Sequence, residues 1–396
     1  MATGIICEYN PFHKGHAYHL QTIRQHTGSS PVIGVMSGHY VQRAEPAMLD
    51  KWTRTRMALA SGMQMVIELP TYYSTATAEW FAYGAVSLLA HTGLVDTLSF
   101  GMAHPEQLPA LQTLSSHLAP ESPAYQRLLH EGLQQKLPFA VSREHALAQL
   151  AEQPLSLREP NTILVLEYIK ALRRTGFSPA LLPVARRSAA YHDLSLSAEY
   201  PSASAIRRAA QNGQSILPYL PPSAAAHASP AYVFPDSFFA PLAYAISLHT
   251  RDSLRHIAEM NEGLENRLLE AALDSPSYDK LLSRLKTKRY PTSRLRRVLL
   301  NLLLQITDSK REALHFTSGP AYLRVLGVRR DAKALLSALM KHADLPVVTN
   351  LARQIGTLPE PAQSMLRDEI RFSQIYASSH PQLLRDAEYR TGLVVT

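Results

Sequence analysis

The sequence predicts an α/β protein: a parallel sheet flanked by helices, followed by a mostly α region. Three observations predict it. The first hundred residues alternate between short apolar runs and segments of helical period. A proline-rich stretch holding Pro218, Pro221, Pro222, Pro230 and Pro235 interrupts the chain. From Ser237 onward the pattern reads as helical nearly to the end, with Leu-rich segments such as 281–304.

The elements follow in order. Residues 3–8 form a buried-strand pattern and 15–25 a helical one. Val32, Ile33 and Val35 mark a second strand within 31–36. A helix is expected over 49–60, a strand over 65–69, a helix over 76–89 and a strand over 94–100. Such alternation implies parallel strands with helices on both faces, and ligands at the carboxyl ends of the strands. Residues 103–155 turn rich in Leu, Gln, Ala and Glu and read as a helical insertion. A further helix is expected over 161–175, a returning strand over 178–184, and a short helix over 202–211 with Ser202 at its start and Gly213 at its end. The expected organisation is a catalytic domain over 1–216, a linker over 217–236 and a helical domain over 237–396.

At 396 residues, two or three domains are the reasonable expectation. Hydrophobic residues at 46% and charged residues at 18% exclude a disordered or low-complexity chain. The balance of 40 Lys and Arg against 32 Asp and Glu, net +8, favours a polyanion as partner, with nucleic acid first. Cys7 is the one cysteine, so neither an intramolecular disulfide nor a cysteine zinc cage can form, and a cytoplasmic setting is the simplest. No apolar run approaches the roughly 20 residues that span a bilayer, so no membrane partner is expected.

The most informative stretch is Glu8-Tyr9-Asn10-Pro11-Phe12-His13-Lys14-Gly15-His16, a His-x-Gly-His placed between the first strand and the first helix. With 17 His and 17 Gly in the chain, a chance match is expected about 0.03 times. His13 and His16 share a face of the first helical turn, where free N–H groups and the positive dipole end already attract anions. Gly15 lets a base or ribose approach the backbone. A zinc pair is the weaker reading, because no further ligand is evident nearby; no metal ligands are assigned.

This motif resembles that of the nucleotidyltransferase superfamily, whose members transfer adenylyl groups from ATP on a Rossmann-like domain. That family has a second phosphate-binding element of the form Ser-x-Ser/Thr-x-x-Arg, matched here by Ser202-Ala203-Ser204-Ala205-Ile206-Arg207. Ser204 can donate a hydroxyl hydrogen bond and Arg207 a bidentate fork to phosphate oxygens.

More of the chain resembles a narrower family, the bacterial tRNA(Met) cytidine acetate ligases. The resemblance is carried by Gly4 to His16, Val35-Met36-Ser37-Gly38-His39-Tyr40-Val41-Gln42-Arg43, Glu45-Pro46-Ala47, Asp50-Lys51-Trp52-Thr53-Arg54 and Glu68-Leu69-Pro70. Ser99-Phe100-Gly101, Pro160-Asn161, Tyr191-His192-Asp193, Lys288-Arg289-Tyr290 and Arg324-Val325-Leu326-Gly327 extend it over nearly the whole chain. It implies ATP, acetate and elongator tRNA(Met) as reactants; Mg²⁺ is expected with the ATP, as a hard cation that bridges phosphates without an all-protein cage. Acetyl-adenylate would form first, and its acetyl group would pass to N4 of the wobble cytidine.

The resemblance further implies nucleotide contacts from Cys7, Glu8, Tyr9, Asn10, Pro11, Phe12, His13, Gly15, His16 and Leu20, from Gly101 and Asn161, and from Arg186 or Arg187, with Arg186 in the better register. Ala44 stands where the family has Gly, a substitution expected to alter a left-handed turn. His13 and His16 are the expected groups at the α-phosphate. The polar segment 37–54 is expected on the acceptor side, with Asp50 a candidate base and Lys51 beside it; a salt-bridged helix cap is the competing reading. Lys286, Lys288, Arg289 and Arg294 are expected phosphate contacts for RNA, against the alternative of a solvated helix face. Two other readings stay open: an adenylyltransferase for a small phosphorylated substrate, and a non-catalytic RNA-binding protein with a retained nucleotide pocket.

Overall fold

A computed structural model describes residues 1–396 except 158, 188–195, 197–198, 262 and 288–289. Tyr191-His192-Asp193 and the expected RNA contacts Lys288 and Arg289 therefore lie outside the described residues.

The strands are β1 (Ala2–Cys7), β2 (Val32–Ser37), β3 (Tyr40–Val41), β4 (Glu45–Pro46), β5 (Met65–Leu69), β6 (Val95–Met102), β7 (Ala180–Ala185), β8 (Leu323–Val328), β9 (Val347–Val348) and β10 (Val394–Val395). Eight of them form one sheet among the described residues, in the order β10-β8-β5-β2-β1-β6-β7, with β9 paired to β8. Strands β1, β2, β5, β6 and β7 are mutually parallel. The order reverses at β1, whose neighbours are β2 and β6, and this reversal opens a crevice at the strand ends. Helix α1 (Lys14–Thr27) leaves β1 directly into that crevice.

The apolar runs behave as buried strands should: every residue of β2 and β5 is buried. Helix α2 (Lys51–Ala60) covers one face. Helices α3 (Thr71–Ser74) and α4 (Ala78–His91) lie beyond β5, and Pro160–Thr175 packs on α4. The insertion is helical as expected, with helices Leu108–Ser115, Pro123–Gln134 and Phe139–Leu150.

The C-terminal half is mostly helical as expected, but strands interrupt the pattern expected to stay helical nearly to the end. Helices Phe239–Ser247, Leu264–Leu273, Tyr278–Leu285 and Thr292–Leu304 do close around a core of their own, built on Leu268, Leu281, Leu295 and Leu302. The chain then returns to the sheet. Strand β8 pairs antiparallel with β5, and β9 and β10 flank β8. Gly327 permits this return, because a Cβ there would meet Thr55 Cγ2 at 2.7 Å. The proline-rich segment is likewise packed rather than loose: Ile216, Leu220 and Ala224 are buried, and Val233 N–H donates to the Met48 carbonyl at 2.9 Å.

Buried charge joins the two halves. Lys51 Nζ lies 2.6 Å from both Glu68 and Glu388, and Arg324 lies 3.2 Å from Glu68 and pairs also with Glu388. Arg54 is wholly buried and donates to the carbonyls of Glu8 at 2.7 Å and Ser37 at 3.0 Å, and to that of Gly38. It thereby fixes the ends of β1 and β2 beside the crevice. Ala44 sits at φ 53° between β3 and β4, so the left-handed turn forms with alanine in place.

Candidate active site

The crevice is a cavity of about 610 Å³. Five helices present N-terminal residues to it among the described residues. Gly15 and His16 come from α1, Ala78 from α4, Asn161 from Pro160–Thr175, Ser204 from Ala203–Gln211 and Ser293 from Thr292–Leu304. Each end carries partial positive charge and unsatisfied N–H groups. Arg43, Arg186, Arg187 and Arg207 line the same space, against the two carboxylates Glu8 and Glu45. A polyanion of several charges is the ligand this field favours.

The His-x-Gly-His spacing acquires a mechanical reason. His13 is the N-cap of α1. Its Nδ1 accepts from Gly15 N–H at 3.1 Å, while its own backbone N–H donates to His16 Nδ1 at 3.2 Å. Both Nδ1 atoms are thus acceptors, so each neutral ring carries its proton on Nε2. The rings stack at 3.8 Å. Burial holds His13 down to about 3, with Arg186 and Arg207 adding to it, and holds His16 well below its ordinary value, with His13 and His19 adding to it. The pair is therefore a neutral double N–H donor at neutral pH. Gly15 is required because a Cβ would meet His13 Cε1 at 2.9 Å. Tyr9, at φ 49°, turns its ring against Phe12 at 4.7 Å and His16 at 4.8 Å, which buttresses the second imidazole.

The His13–His16 and Ser202–Arg207 segments meet although they are far apart in sequence. Ser202 Oγ caps the helix Ala203–Gln211 by accepting from Ala205 N–H at 3.1 Å. One turn later Arg207 donates to the Asn10 carbonyl at 2.8 Å and to Ser204 Oγ at 3.3 Å. Asn10 Oδ1 in turn accepts from Met48 N–H at 2.8 Å. Gly101 lies under Arg186, whose Cγ would be 3.3 Å from a Cβ there. Arg187 is stacked over Tyr18 at 4.7 Å.

A family description, HIGH Nucleotidyl Transferase, matches residues 1–390. Proteins named tRNA(Met) cytidine acetate ligase are similar over most of their length. That of Thermoanaerobacter sp. (strain X514) is 38% identical, covering 88% of each chain. That of Caldicellulosiruptor saccharolyticus is 37% identical, covering 96% of this chain and 94% of the relative. The chain belongs to the tRNA(Met) cytidine acetate ligase family of nucleotidyl transferases, and it is an enzyme of the ligase class. Among solved structures, Thermotoga maritima TmcAL superposes with TM-score 0.93 at 30% identity over the whole of both chains. The same protein bound with alpha-thio ATP gives 0.90 at 29%.

Against that family frame, the cavity gathers Cys7, Glu8, Tyr9, Asn10, His13, Gly15, His16, Gly101, Asn161, Arg186, Arg187, Ser204 and Arg207. Other expectations need correction. Pro11, Phe12 and Leu20 do not line it: Phe12 and Leu20 are core side chains beneath α1, exposed by 0% and 2%. Asp50 and Lys51 do not line it either. Asp50 is the N-cap of α2 and accepts from Trp52 N–H and Thr53 N–H, both at 2.9 Å. Lys51 is spent on Glu68 and Glu388. Asp50 and Lys51 build a salt-bridged cap, while Val41, Gln42, Arg43 and Glu45 of the same polar segment do line the cavity.

Lys286 is exposed at the end of Tyr278–Leu285, while Arg294 pairs with Asn261 and lies over the buried Tyr290 at 5.5 Å. Arg296 reaches Glu45 on the cavity wall at 2.5 Å. Sequence reasoning missed His19, which lines the cavity and bonds Ser99 Oγ through Nε2 at 2.9 Å, and Tyr168. Their signal was only the helical spacing of His19 three residues beyond His16.

Proposed function

We propose that this enzyme uses ATP to activate acetate as acetyl-adenylate and then acetylates N4 of the wobble cytidine of elongator tRNA(Met), in the cytoplasm. The observation that carries the reading is the convergence of five helix N-termini and two imidazole Nε2–H donors on one cavity. The relatives named above supply the acetate and the tRNA. No helix among the described residues is long and apolar enough to cross a membrane.

Adenylation needs an acetate oxygen to attack the α-phosphorus in line with departing pyrophosphate. The protein supplies position and charge stabilisation rather than a nucleophile. His13 and His16 donate to the α-phosphate and the leaving oxygen. Their neutrality means that no proton must be lost or gained to do so. Ser204 and Arg207 hold the pyrophosphate end. Asn161 and Gly101 face base or ribose, with Arg186 beside Gly101. Mg²⁺ would enter on the triphosphate and neutralise its charge. The cavity offers it no cage, since its polar groups are mostly N–H donors and no cluster of three His, Cys, Asp or Glu among the described residues could hold an ion.

The tRNA surface is the basic stretch leading into Thr292–Leu304. Its first turn reaches the cavity through Ser293, and Arg296 ties it to the wall at Glu45. An anticodon loop bound on that stretch would lie beside the adenylate. Radiolabelled acetate should enter tRNA as N4-acetylcytidine only with ATP present. Substituting Lys286 and Arg294 should weaken tRNA binding and lower the salt slope by about one per contact, while acetate-dependent pyrophosphate exchange persists. Exchange falling in parallel with tRNA binding would contradict the assignment.

A further inference from the structure

Transfer from acetyl-adenylate to cytidine poses a proton problem. The N4 lone pair is delocalised into the pyrimidine ring, so the amine is a poor nucleophile and must shed a proton as the new bond forms. Asp50 is committed to its helix cap and cannot serve.

Two carboxylates line the cavity among the described residues, and they are not equivalent. Glu45 is held at 2.5 Å by Arg296. Glu8 ends the first strand region, partly buried, with Oε1 accepting Gln42 N–H at 2.6 Å. That bond and the grip of Arg54 on its backbone carbonyl fix it against the β3–β4 hairpin, whose Val41, Gln42, Arg43 and Glu45 form one wall of the cavity. Glu8 thus stands between the adenylate donors of α1 and the wall to which the basic helix is tied. The histidines are poor competitors. Nδ1 of His13 and of His16 is occupied by a backbone N–H. His19 spends Nε2 on Ser99, and burial holds it down to about 4.

We propose that Glu8 is the catalytic base of acetyl transfer. This rests on the acetyl-transfer reading above. The N4–C bond forms on the acetyl carbon, the C–O bond to the phosphate breaks with its electron pair going to AMP, and the N4 proton passes to a Glu8 carboxylate oxygen. No other reactant is needed. Burial raises the Glu8 carboxyl above its ordinary value, against the Gln42 N–H and the charges of Arg43, Arg207 and Arg54; Cys7 and Tyr168 also face it. Raised basicity suits the role.

The test separates the two steps in the full-length enzyme. Acetate-dependent pyrophosphate exchange reads adenylation. Single-turnover mixing of enzyme-bound acetyl-adenylate with tRNA reads transfer. Wild type must do both; failure there falls on the acetyl-transfer reading and not on Glu8. In Glu8→Gln, which keeps an acceptor for Gln42, transfer should slow about 100-fold more than exchange, and the rise of the transfer rate with pH should vanish. Glu8→Asp should slow transfer more than exchange yet keep a pH-dependent limb. Equal losses in both steps, an unslowed transfer in Glu8→Gln, or a pH-independent rate in Glu8→Asp would overturn the proposal.

Discussion

Arg207 donates to the carbonyl of Asn10 at 2.8 Å, a bond between residues 197 apart in sequence. The long insertion between the two segments therefore does not loosen the site; one guanidinium joins the loop after β1 to the late helix. The same fork holds Ser204 at 3.3 Å, so loop and helix share a single side chain.

Arg207→Lys removes that fork while keeping the charge. The expected outcome is a fall in kcat/KM of exchange by 100-fold or more, which corresponds to about 2.7 kcal/mol of transition-state stabilisation. Steady-state exchange kinetics check it. A variant within threefold of wild type would mean that charge alone suffices.

Gly15→Ala tests the ring geometry without touching a polar atom. The new Cβ meets His13 Cε1 at 2.9 Å and must displace the ring. Exchange should fall by about 100-fold, the usual penalty for a misplacement near 1 Å, while the melting temperature changes by only a few degrees.

The histidines give stability a pH dependence of defined sign. His13, His16 and His19 are all lowered by burial, His13 to about 3 and His19 to about 4. The unfolded chain takes up protons at these rings near pH 6.5 and the folded chain does not. Stability is therefore full above the unfolded value and falls as pH drops from about 6.5 towards the folded values. Melting temperatures from pH 5 to 7.5 should rise, with a smaller slope in the His13→Asn, His16→Asn double variant. Exchange should show no titration from His13 or His16 over that range.

Lys51→Met leaves Glu68 and Glu388 buried with Arg324 as their remaining partner. The expected loss is about 3–5 kcal/mol of folding free energy, read by denaturant unfolding. A variant as stable as wild type that had lost turnover would return Lys51 to the chemistry.

The sequence was most legible where local pattern and tertiary role agree. Alternation of periods in the first hundred residues located β1, β2, β5 and β6 because parallel strands bury both faces and their connections are short. Strand β8 was not legible. Leu323–Val328 is short, mostly apolar with Arg324 inside it, and buried throughout, a pattern that fits helix or strand equally, and its pairing with β5 is decided only by the folded sheet. In the site, His13, His16, Ser204 and Arg207 stood out in the sequence by their spacing, and the fold brings all four to one cavity. Asp50 and Lys51 misled because a cap and a catalytic pair present the same residue types in sequence; burial against Glu68 and Glu388 distinguishes them. Ser293 gained meaning only when folding set it on the cavity.

The central claim is that the paired neutral imidazoles serve carboxylate adenylation. The most direct measurement is exchange of radiolabelled pyrophosphate into ATP by purified enzyme with Mg²⁺ and a panel of short carboxylates, with and without tRNA. The account predicts exchange that requires acetate and is abolished in His16→Ala. Exchange with no carboxylate of the panel, or acetate-dependent exchange that survives in His16→Ala, would contradict it.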